Sequence, residues 1–198
     1  GTDTTTTNYS NTLQVHATGT GSSLLLTDQN TGTGNGDGFE MIMHANNAYI
    51  IQRENAPLSI RTNSTEAINI DENQNTTFAG NVGIGITPNA SYSGVEVLQI
   101  GKGMTLMGNT NDDRAAMMAN LYLDSNTAFR YVMDGLAGKV AIEDGIITFG
   151  TAPSGTAGAV ATVTERMRID SSGKMTIKSS GDGLKFDITS SAGSNHSI

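Results

Sequence analysis

The chain has 198 residues and a formal net charge of −8, with 11 Lys and Arg against 19 Asp and Glu. Phosphate backbones demand clustered cations and these are scattered, so no nucleic acid is expected as a partner. The absence of Cys excludes disulfides and thiolate metal sites. No apolar run nears the roughly 18 residues of a membrane span, so no membrane insertion is expected.

Only 36% of the residues are hydrophobic, 5% are aromatic and none is Trp, while charged residues make up 15%. Disordered chains of low hydrophobicity usually carry high charge. Here Gly, Ser, Thr and Asn take that place, which is the balance of a polar, turn-rich β protein. Ordering the backbone costs roughly 1–2 kcal/mol per residue, and bulky core residues to offset it are scarce. The composition therefore predicts that burial is completed by other chains.

Along the chain, residues 1–9 form a polar N-terminal segment. The stretch Gly32-Thr33-Gly34-Asn35-Gly36-Asp37-Gly38 reads as a Gly-rich connection. It has a slight likeness to a calcium loop but lacks the repeated acidic ligands and the distal Glu. A hairpin is predicted to turn at Ala45-Asn46-Asn47. Glu66-Ala67-Ile68-Asn69-Ile70-Asp71 alternates apolar and polar residues, so one face of a strand there can be buried. Val82, Ile84 and Ile86 alternate with Gly83 and Gly85, and Pro88 ends that strand. Asp112-Asp113-Arg114-Ala115-Ala116-Met117-Met118-Ala119 is the best helix candidate. A second hairpin is predicted to turn at Ser125-Asn126-Thr127. Glu165-Arg166-Met167-Arg168-Ile169-Asp170 alternates again before the Ser171-Ser172-Gly173 turn, as does Leu184-Lys185-Phe186-Asp187-Ile188.

These elements repeat in order. Leu13-Gln14-Val15 returns as Leu98-Gln99-Ile100, an offset of 85. The stretch from Met41 to Tyr49 returns without a gap from Leu121 to Phe129, an offset of 80. Leu58-Ser59-Ile60 returns as Val140-Ala141-Ile142, an offset of 82, and Glu66 to Asp71 returns as Glu165 to Asp170, an offset of 99. The chain thus reads as one β module over residues 10–88 and a second over 89–180. Residues 181–198 are a tail or the start of a third, incomplete module, a sign of a partial or processed chain. The second module carries 17 additional residues, assigned to an inserted loop over about 143–164. That loop is either plain solvent-facing chain or a receptor contact through Pro153 and Ser154.

Gly80-Asn81-Val82-Gly83-Ile84-Gly85-Ile86-Thr87-Pro88 resembles a pattern repeated in bacteriophage tail fibres and tailspikes. So does Glu165-Arg166-Met167-Arg168-Ile169-Asp170-Ser171-Ser172-Gly173-Lys174-Met175-Thr176-Ile177, the more specific of the two. The pattern often stands just upstream of an endosialidase-type intramolecular chaperone. The resemblance implies an elongated, intertwined homotrimeric β fibre on the virion, outside the cell. It would be used for host attachment and would be joined to other tail proteins. No chaperone-like sequence follows Ile177. The fold expected is therefore all-β, built from repeated hairpin modules in a homotrimer. Val82, Gly83, Ile84, Gly85, Ile86, Met167 and Ile169 are the expected trimer-packing residues. The bare faces of Gly83 and Gly85 would lie against neighbouring backbones at a threefold axis. The alternative there is a flexible Gly linker.

Catalytic signatures are weak. Gly83-x-Gly85 lacks the rest of a dinucleotide fingerprint, and three His make a hydrolase triad a poor expectation. The enzymatic rival is a glycan-cleaving tailspike, which needs paired carboxyl groups. Its candidates are Asp112, Asp113, Asp124, Glu143 and Asp144. A bacterial surface adhesin is the other rival. No cofactor is expected, and His16, His44 and His196 are too far apart for metal-ligand spacing within one chain. On the second hairpin, Leu121, Leu123, Phe129 and Tyr131 are expected to form core. Tyr122, Asp124 and Arg130 are expected to face outward, either toward a host-surface glycan or protein receptor or, for Tyr122, toward a neighbouring chain.

Overall fold

The computed structural model describes residues 13–178, so the terminal segments, His196 and the strand expected at 184–188 lie outside the described residues. Every regular element among the described residues is a β-strand. The region expected as a helix is a strand, because Ala and Met at its centre are flanked by strands that pair with it on both sides. Tertiary pairing outweighs their high helix propensity, which is worth only tenths of a kcal/mol per residue.

The chain divides into two units, with the boundary between Ala79 and Gly80. In the first, β1 (Gly21–Leu26), β2 (Phe39–His44) and β3 (Asn47–Gln52) form an antiparallel sheet. The two central residues of the β2–β3 turn, Ala45 and Asn46, both have positive φ, as a tight two-residue hairpin requires. β4 (Leu58–Thr62), β5 (Thr65–Ile70) and β6 (Thr76–Phe78) form a second antiparallel sheet. Alternation puts Leu58, Ile60, Ile68, Ile70 and Phe78 on one face of it. Ser59, Glu66 and Asn69 hydrogen-bond on the other.

The second unit holds an eight-stranded sheet. Its strands are β7 (Val82–Ile84), β8 (Val95–Ile100), β9 (Met104–Asn109) and β10 (Ala115–Ala119), followed after a separate hairpin by three long strands and a short one. The hairpin is β11 (Leu121–Leu123) with β12 (Phe129–Tyr131); then come β13 (Gly135–Glu143), β14 (Ile146–Gly155), β15 (Thr164–Ile169) and β16 (Met175–Ile177). β7 pairs in parallel with β8, so the Gly-alternating stretch belongs to the second unit and not to the end of the first. The hairpin contacts β9 and β13 and covers one face of the sheet. Leu121, Leu123 and Tyr131 are buried there with Val95, Val97, Met107 and Met118, as their alternation predicted.

Two expectations are corrected. The inserted residues form a loop only in part: Ile146–Gly155 is a ten-residue strand, β14, between β13 and β15, and residues 156–163 before β15 lie outside any strand. Its small residues, such as Ala152, fit a buried position. Leu13, Gln14 and Val15 form no strand, whereas their counterparts lie in β8, so that block of the repeat is not structural. The 66–71 and 165–170 block is. In the first copy, the amides of Asn73 and Asn75 donate to Asp71 Oδ1 at 2.9 and 2.8 Å. In the second, those of Ser172 and Lys174 donate to Asp170 Oδ1, both at 3.0 Å. A third copy of this turn appears at Asp124, whose Oδ1 accepts from Asn126 and Ala128, both at 2.9 Å.

Candidate functional site

The face of the eight-stranded sheet opposite the hairpin is apolar and is covered by no other described element of the second unit. Cross-strand register aligns Val82, Leu98, Leu106, Met117, Val140, Phe149, Met167 and Ile177 in one row across all eight strands. No charged residue interrupts it. Met117 stays 51% exposed, Phe149 36% and Ile177 38%. Ile84, Ile100 and Ile142 flank the row on the same face and are also exposed. Val82, Ile84, Met167 and Ile169 thus share this surface, through pairing that neighbouring residues alone did not reveal. Ile86 lies beyond the end of β7 and is half-buried.

Gly83 and Gly85 have local reasons for being glycine. A Cβ on Gly83 would collide with the Ile86 carbonyl and the Pro88 ring of the same chain. Gly85 has φ +70° and open space around it, so it answers a backbone need. The expected close approach of a neighbouring backbone is excluded at Gly83, where the chain itself fills the space that a Cβ would take.

The first unit is barer still. Gly38 is the single buried residue among those described there, and no apolar side chain is buried. Leu24, Met41 and Ile50 sit side by side on three strands, at 41%, 48% and 62% exposure.

The expected receptor residues fall into two groups. Tyr122 and Arg130 are cross-strand partners on the hairpin, and both are half-buried. Asp124 does not face outward: at 7% exposure it is buried beneath its own turn. Its carboxylate takes the two backbone amides and the Arg130 Nε. The Arg130 guanidinium, with those amides, holds the Asp124 carboxyl below its ordinary pKa. Arg130 also donates to the Gly158 carbonyl at 2.8 Å, so this pair ties the hairpin to the segment after β14. Pro153 and Ser154 lie on β14 and are exposed. The Pro153 carbonyl accepts the Tyr131 hydroxyl at 2.6 Å, which makes a structural anchor of it.

The candidate carboxylates at the β10 and β13 ends are drawn together. Asp113 Oδ1 accepts the Asp144 amide at 3.1 Å, Asp112 Oδ1 accepts the Arg114 amide at 3.0 Å, and Glu143 pairs with the Arg114 guanidinium. Asp113 thus ties the turn between β13 and β14 to the start of β10. His16 and His44 are exposed. Among the described residues, no three His, Asp or Glu side chains gather as a metal site.

Compared with protein families, curated proteins and solved structures, the chain matches none.

Proposed function

We infer that this chain is a non-catalytic structural segment of a viral tail fibre, which works as a homotrimer and presents or forms the host-receptor-binding region. The observation that carries the reading is the first unit, where two three-stranded sheets bury no apolar side chain among the described residues. Burial contributes about 25 cal/mol per Å² of apolar surface, against roughly 1–2 kcal/mol per residue of backbone ordering. Small sheets need a covered hydrophobic face to persist. Cover from identical copies also suits the eight-strand apolar row of the second unit. The number of copies, three, and the placement on a virion rest on the resemblance of the 80–88 and 165–177 stretches to phage fibres.

In this reading, attachment comes from weak contacts repeated on each copy, where multivalency multiplies modest affinity. Two experiments separate the rivals. Incubation with host capsule releases no oligosaccharide if the chain is a binder; release makes it a depolymerase. Portal, baseplate and other structural viral genes beside the coding sequence support the fibre; their absence in favour of secretion genes supports a bacterial adhesin.

A further inference from the structure

The Gly-rich connection between β1 and β2 folds around one side chain. Asp37 Oδ2 accepts the Gly34 amide at 2.6 Å, and a Cβ on Gly32 or Gly34 would press on the same carboxylate. The Asp37 amide donates to the Gly34 carbonyl at 3.2 Å, which closes a β-turn with Asn35 and Gly36 as its central residues. Both central residues are exposed. Nothing lies within 4 Å of the point where a Cβ on Gly36 would stand. Neither the Asn35 carboxamide nor the Gly36 amide has a hydrogen-bond partner among the described residues.

Asparagine is one of the thermally labile residues, and its weak point is the amide nitrogen of the residue that follows. That nitrogen reaches the side-chain carbonyl carbon once the backbone between them rotates. A side chain on the following residue obstructs the approach; glycine, free in φ and without a Cβ, does not. Among the described residues Asn35 alone precedes a glycine. Asn75, Asn81 and Asn120, by contrast, donate their carboxamides to Asp71, Ser91 and the Leu136 carbonyl, and each is followed by a residue that carries a side chain.

We propose that Asn35 is a site of self-modification, at which the Gly36 amide nitrogen displaces the Asn35 side-chain nitrogen. Solvent base takes the Gly36 amide proton and the nitrogen bonds to Asn35 Cγ. The Cγ–Nδ2 bond breaks, and Nδ2 takes up a proton and leaves as ammonia. The product is a cyclic imide. Water opens it at Cγ to leave aspartate, or at the Asn35 backbone carbonyl carbon to leave isoaspartate, whose chain runs through the side chain. One water is consumed and one ammonia released, with no oxidant or reductant. Either product places a new negative charge two residues from Asp37, and isoaspartate also lengthens the backbone inside the turn. The loop should then loosen around Asp37 while β1 and β2 keep their pairing.

The test is to incubate the full-length protein in warm, mildly alkaline buffer, natively and in urea, and to map its peptides by mass with time. The mass gain of an amide turned to an acid is expected at residue 35, in the native protein at a rate close to that of the urea-unfolded chain. Isoaspartyl methyltransferase should label the same peptide. Gly36→Ala should slow the change several-fold and Asn35→Gln should remove it, and at such exposed positions the melting temperature should stay near the parent's. A native protein that stays unmodified while the unfolded chain reacts would overturn the assignment. So would a Gly36→Ala variant reacting at the parental rate, or a mass gain confined to other asparagines.

Discussion

Replacing Met117 by Lys separates a lone sheet from a covered one. In the single chain Met117 is 51% exposed, and a substitution at so open a position ordinarily changes stability within about 0.5 kcal/mol. In the assembly proposed above, Met117 is central in the apolar row. Its cross-strand neighbours, Leu106 and Val140, offer no carboxylate. Burying a Met side chain fully is worth roughly 1.5–3 kcal/mol, so completing the burial of this one adds about 1 kcal/mol per chain. An unpaired ammonium there costs several kcal/mol more, and the penalty recurs in every copy. Met117→Lys is therefore expected to lose assembly and melt far below the parent. The assay is sedimentation velocity at micromolar concentration beside a thermal melt. The adjacent Met118 is 1% exposed, and Met118→Ala should cost about 2–5 kcal/mol in any assembly state. A Met117→Lys protein with parental mass and melting temperature refutes the claim that this face is covered.

Further expectations concern the turns and the hairpin anchor. Thr127 is β-branched yet has φ +65°, in the position that Gly173 fills in the matching turn. Thr127→Gly should stabilise the fold by about 0.5–1 kcal/mol, the relief of left-handed strain less the added chain entropy, read as a rise in denaturation midpoint. Gly155 packs against the Tyr131 ring, which a Cβ would penetrate. Gly155→Ala should thus cost about 1–3 kcal/mol by overpacking. The Asp170 carboxyl is held below its ordinary pKa, first by Ser172 and then by the turn amides. A depressed acid contributes stability above its unfolded pKa of about 3.9, and that stability is lost as pH falls through the folded value. Asp170→Asn should therefore melt earlier than the parent at neutral pH, and the gap should close in acid titrations. A gap that persists at low pH would contradict this.

Much of the fold was legible in local pattern. The alternation at 66–71 and 165–170 marked strands β5 and β15, and the Asn-containing turns marked both hairpins, because period and turn chemistry are local properties. The helix expected at 112–119 failed because the local helix preference of Ala and Met is overridden by pairing with strands remote in sequence: Met117 meets Leu106 and Val140. β14 was hidden for a related reason. Its Gly and Ala look like loop residues until the hairpin above Ala152 and the Tyr131 ring beside Gly155 show why bulk is excluded. Asp124 was read as outward by strand parity, but it ends the strand and caps a turn, and parity does not extend into a turn. Its likeness to Asp71 and Asp170 was the missed signal. The apolar row depends on register among strands far apart in sequence, which one-dimensional spacing does not carry.

Static light scattering of the purified protein at micromolar concentration bears most directly on whether these bare faces are covered by identical copies. Three chains of 20.6 kDa predict a species of about 62 kDa, melting cooperatively and at a temperature that rises with protein concentration. A cooperative, well-folded particle of 20.6 kDa, with melting independent of concentration, would contradict the account.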